Sequence, residues 1–167
     1  MSSLLQKRVE NGRRRQRETL LAACTPGLAQ VLAAAPCQTG PAADALAGSW
    51  PWPPEVAGGP PPQNVPGNWT CQSFDQPSAL RRATLQISLP AGAAYLWLGP
   101  ELPLFELDCS HWRETAEALI DLMLAGRCSC LAMVCSDSRH GLLLSEYIGR
   151  LEGSSQAGEL VYELAHW

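Results

Sequence analysis

Apolar and polar positions alternate along this chain in several distinct rhythms. Leu28, Val31, Leu32 and Ala35 recur at i, i+3, i+4 and i+7, the spacing of one helix face. Thr25-Pro26 precedes them, an N-cap followed by a proline at the first helical position. Trp112, Ala116, Leu119, Ile120, Met123 and Leu124 trace a second, stronger helical stripe. Arg113, Glu114, Glu117 and Asp121 take the other face, with Ser110 as its expected N-cap and Gly126 as its stop. This pattern predicts a helix over 111–125 laid on a sheet. Residues 3–23 are good helix formers, but 10–19 are polar apart from Gly12, so that stretch predicts an exposed helix.

Period-two patterns predict the strands. Leu85, Ile87 and Leu89 alternate with Thr84, Gln86 and Ser88, and Pro90-Ala91-Gly92 then turns the chain. The stretch 83–98 is therefore expected to be a hairpin. Short strands are expected at 69–74, 104–107, 142–148 and 159–167. The almost wholly apolar run Cys130–Cys135 reads as a central strand buried on both faces. The predicted class is α+β: a mostly antiparallel sheet, one amphipathic helix packed on a face, and an N-terminal helical arm.

Three stretches follow from this: a helical arm at 1–35, a Pro/Trp-rich linker or wrapping segment at 36–68, and an α+β domain at 69–167. The middle stretch holds nine of the fourteen prolines, with Trp50 and Trp52 among them. Such a run is expected to lack regular structure. Its tryptophans favour wrapping over the body, because a free linker would leave large aromatic surface in water.

Charge sharpens the division. Lys7, Arg8, Arg13, Arg14, Arg15 and Arg17 are six of the twelve basic residues, whereas fifteen of the sixteen acids lie from residue 18 onward. The chain is an acidic body with a basic arm. An acidic body repels nucleic acid and anionic membranes and attracts basic surfaces. No stretch reaches the ~18 apolar residues of a membrane span. Leu21-Ala22-Ala23-Cys24 has the look of a lipoprotein box, but the apolar run before it falls short of the ~7–15 residues an export signal needs. The Ala-, Pro- and Arg-rich composition suits a bacterial genome. Seven cysteines, an odd number set largely among aliphatic residues, point to a reducing cytoplasm.

Candidate chemistry is sparse. Cys128, Cys130, Cys135 and His140 could supply zinc ligands, but C-x-C is not the usual C-x2-C knuckle. Cys130 and Cys135, five apart on a strand, also point to opposite faces. Cys135, Asp137 and His140 are close enough in sequence to suggest a thiol site, yet polar residues at a turn are the ordinary explanation. Phosphate-binding loops are absent. No cofactor and no catalytic residue are expected. The basic arm Arg13, Arg14, Arg15 and Arg17 offers weak, salt-sensitive contact to nucleic acid, an alternative the acidic body disfavours. What remains is a non-enzymatic protein-binding module, such as a bacterial immunity-type inhibitor or an adaptor of a secretion or assembly complex. Its expected contacts with a basic partner are Glu101, Glu106, Asp108, Glu114, Glu117 and Asp121, the densest acidic group, with Trp50 and Trp52.

Overall fold

The computed structural model describes residues 4–50, 70–99, 102–149 and 159–167. The described elements are α1 (Leu4–Ala23), α2 (Pro26–Ala34), β1 (Cys37–Gln38), α3 (Pro41–Gly48), β2 (Thr70–Phe74), α4 (Pro77–Gln86), β3 (Ala93–Trp97), β4 (Leu104–Asp108), α5 (Trp112–Leu124), β5 (Cys130–Cys135), β6 (Gly141–Gly149) and β7 (Glu159–His166). The seven strands form one antiparallel sheet in the order β1-β4-β3-β5-β6-β7-β2. The class is α+β, as the periodicity predicts.

β5 occupies the centre of the sheet, which is why its sequence is apolar on both faces. Its odd positions Leu131, Met133 and Cys135 join the larger core with Leu96, Phe105, Leu142, Leu144 and Leu164. Its even positions Ala132 and Val134 join a second core with Leu104, Leu143 and Ala165. The larger core lies under α1, α2, α4 and α5, through Leu20, Leu28, Leu32, Leu80 and the full stripe of α5. We call that side of the sheet the helical face. On the opposite face, Ala43 of α3, Trp50 and Trp167 pack over the strands.

Local sequence explains the helix ends. The Leu28 backbone N–H donates to Thr25 Oγ1, 3.5 Å away, so Thr25 caps α2 as its sequence indicates. At the start of α5 the cap is two residues earlier than expected. Asp108 Oδ1 accepts from the Ser110 N–H at 2.8 Å and from its hydroxyl at 2.6 Å, opening a 3-10 turn (Cys109–His111) that leads into the helix. Gly126, at φ +68°, ends the helix in a conformation that side chains disfavour.

Two expectations need correction. Residues 83–98 are not a hairpin: 77–86 form α4, and only 93–97 are strand. Pro77 opens the helix, and Leu80, Ala83, Thr84 and Ile87 recur at i, i+3, i+4 and i+7 against the larger core. The alternation at 84–89 was compatible with either period, and packing against α5 decides for helix. Nor is 36–50 irregular. β1 pairs with β4, and Pro41 starts α3 rather than breaking it, since the first helical N–H has no intrahelical partner in any helix.

Candidate functional site

The acids expected to act together are near one another in sequence, but the described ones do not form one group in space. Glu106 projects from β4 on the opposite face of the sheet, in register with Tyr95. Asp121 forms an ion pair with Arg81 of α4. Asp108 and Glu114 do come together: both border a groove of about 500 Å³ between α2 and α5. Its apolar lining is Leu28, Val31, Leu107 and Ala118. Glu117 is exposed one turn further along α5. Glu101 and Trp52 lie outside the described residues. Trp50 is 3% exposed and packed into the core of the opposite face.

Val31 is the residue that sequence reasoning missed. It belongs to the apolar seam of α2, yet it is 45% exposed, while Leu28 and Leu32 are buried. A stripe wider than the face that packs leaves one member in water, and that excess was visible in the i, i+3, i+4 spacing.

The basic arm is partly docked. Arg17 donates from Nη2 to the carbonyl oxygens of Leu32 and Ala33, both at 3.3 Å, at the C-terminal end of α2. Its guanidinium also sits 5.9 Å from the centroid of the Phe105 ring. A cation at this end satisfies carbonyls that the helix leaves open and complements its dipole. Arg14 pairs with Glu18 at 3.9 Å across one exposed turn. Arg13, Arg14 and Arg17 line one cleft beside α1, and Arg15 lines another.

The cysteine group divides as the strand geometry requires. Cys130 packs on the opposite face and Cys135 on the helical face. Burial pushes the thiols of Cys128 and Cys130 up to about 12, so both stay protonated at neutral pH. Cys135 hydrogen-bonds to Cys109 and keeps its proton, its pKa raised by that bond and by burial. His140 Nδ1 stands 3.4 Å from Asp137 Oδ2 on an exposed turn. The bond from the Arg139 N–H to Asp137, at 2.9 Å, is the main reason that carboxyl titrates below its ordinary range. Among the described residues, no group of three or more His, Cys, Asp or Glu could hold a metal ion.

Among the described residues, no helix is long and apolar enough to cross a membrane. Fold and surface together define an α+β protein with one continuous sheet and shallow grooves between its outer helices. The chain belongs to the YokC prophage protein family, whose match covers residues 1–166. No curated protein and no solved structure matches it.

Proposed function

We propose that this prophage-family protein is a non-enzymatic binding module that receives a basic segment of another protein between α2 and α5. It would act as an inhibitor or adaptor in the bacterial cytoplasm. The observation that carries this is Val31, 45% exposed, in a groove that Asp108 and Glu114 border. Exposed apolar surface beside carboxylates suits an amphipathic segment that carries both an apolar anchor and lysine or arginine. The acidic body adds long-range attraction, which raises the rate of encounter with a basic partner. Binding would occlude the partner's basic site without chemistry.

The test is affinity capture from bacterial lysate with the full chain and with a Val31→Asp, Glu114→Arg variant, followed by mass spectrometry. Both substitutions fall at exposed positions, so the variant should fold. A stoichiometric protein held by the parent chain and lost by the variant supports the proposal. Capture of no stoichiometric protein, or equal retention by both chains, overturns it.

A further inference from the structure

A second groove has the opposite charge. It lies between the latter half of α1 and residues Leu98, Gly99 and Leu102, and its volume is about 710 Å³. Leu20, Leu98 and Leu102 supply an apolar wall, and Arg15 and Arg127 border it. Arg127 follows the C-terminal end of α5, whereas the acidic groove adjoins that helix's first turn, so the two sites stand at opposite ends of one helix.

The arginines of α1 are employed differently. Arg17 is committed to the α2 carbonyls and Arg14 to Glu18. Arg15 and Arg127 make no side-chain hydrogen bond or ion pair among the described residues. Two arginines that border one apolar-lined groove, neither bonded to a described residue, raise the local potential for an anion where the basic arm meets the acidic body. The volume lies within the ~300–1,000 Å³ of small-molecule sites.

We propose that this groove binds a small amphipathic anion, with a carboxylate or phosphate head at Arg15 and Arg127 and an aliphatic part along Leu20, Leu98 and Leu102. Both head groups accept charge-assisted hydrogen bonds from guanidinium, so the shared chemistry is an oxyanion on a short hydrocarbon chain. A bare inorganic anion would make no use of the groove's apolar lining, of which Leu102 is the half-buried part while Leu20 and Leu98 close its floor from the core. A nucleic-acid strand would call for aromatic platforms, and the described lining of this groove is aliphatic and polar.

Isothermal titration calorimetry on the full chain tests this with decanoate and decyl phosphate, each below its aggregation threshold. Decanol and inorganic phosphate serve as the separated halves, and single-stranded oligothymidylate as the polyanion. At least one amphiphile should saturate a single site more tightly than either half, and the head that binds better identifies the source of the oxyanion. Arg15→Gln and Arg127→Gln should each weaken that binding about tenfold, the loss expected for one hydrogen bond to a charged group. Leu102→Ser should weaken it as well. Melting curves should show that the arginine variants remain as stable as the parent, since neither side chain bonds to any described residue. The proposal fails if neither amphiphile binds saturably, if the arginine variants bind as well as the parent, or if only oligothymidylate binds.

Discussion

On the helical face, Leu96, Phe105, Leu131, Met133 and Leu144 stand beneath four helices. On the opposite face, Ala132, Leu143 and Ala165 stand beneath one short helix and two tryptophans. The first face builds its core from many side chains, chiefly leucines, with Phe105, Trp112 and Tyr162 among them. The second sets small residues against large rings, so shape is concentrated in a few contacts. It is also only partly apolar. Cys130, Ser145, Glu163 and Ser73 form a row across β5, β6, β7 and β2, and Tyr147 Oη donates to Glu163 at 2.8 Å. The helical face should therefore carry most of the stability, and the opposite face should be sensitive at few positions but sharply so.

Phe105→Ala tests the first half of that contrast. Phe105 is fully buried, and its loss should cost about 3–5 kcal/mol, as for other large-to-small core changes. Urea denaturation measures it, and a cost below 1 kcal/mol or so would mean the face is loosely packed. Gly141→Ala tests the second half. A Cβ on Gly141 would overlap the six-membered ring of Trp167 at Cζ2, so alanine, normally favourable in a strand, should here cost about 1–3 kcal/mol. In a Trp167→Leu background the penalty should largely vanish, and a double-mutant cycle reads the coupling directly.

A smaller effect separates arginines of one helix. Arg17→Ala should cost about 1 kcal/mol through the α2 carbonyls, while Arg15→Ala should stay within about 0.5 kcal/mol. Equal costs would mean that docking of α1 does not depend on Arg17. The mildest test is a titration on the helical face. Desolvation raises the pKa of Glu146, so the unfolded chain gives up this proton at lower pH than the folded one does. Stability therefore declines as pH climbs from the ordinary glutamate range through the folded value, and the deficit persists above it. Glu146→Gln should raise Tm near neutral pH and have little effect in acid below the ordinary glutamate range. A uniform shift at every pH would show that packing, rather than charge, is responsible.

How legible each region was in the sequence follows the same division. α5 and β7 are legible because each repeats one period over a whole element, and β5 and β6 because they are short apolar-rich runs bounded by turn residues. α4 is not, because its leucines and isoleucine fit periods of 2 and 3.6 alike, and only a neighbouring helix breaks the tie. α3 is hidden by the composition of its surroundings: it lies in a proline-rich stretch, although Pro41 itself marks a helix start. The acidic surface was half legible. Residue types and the exposed face of α5 are evident in the sequence, but Glu106 lies within β4, Asp108 at that strand's end where it caps the 3-10 turn, and Asp121 on α5 paired with Arg81. Arg17's contact with α2 depends on how two helices cross, which no local pattern encodes.

The pairing of β2 with β7 joins Thr70–Phe74 to residues 162–166, far apart in the chain, whereas β5, β6 and β7 follow one another. Closing so long a loop is entropically slow, so the meander of β5 to β7 is expected to form first during folding. Until β2 arrives, the outer margin of β7 is an unsatisfied row of peptide groups, able to recruit the same strand from another copy. At high concentration, refolding is thus in competition with strand exchange at this margin.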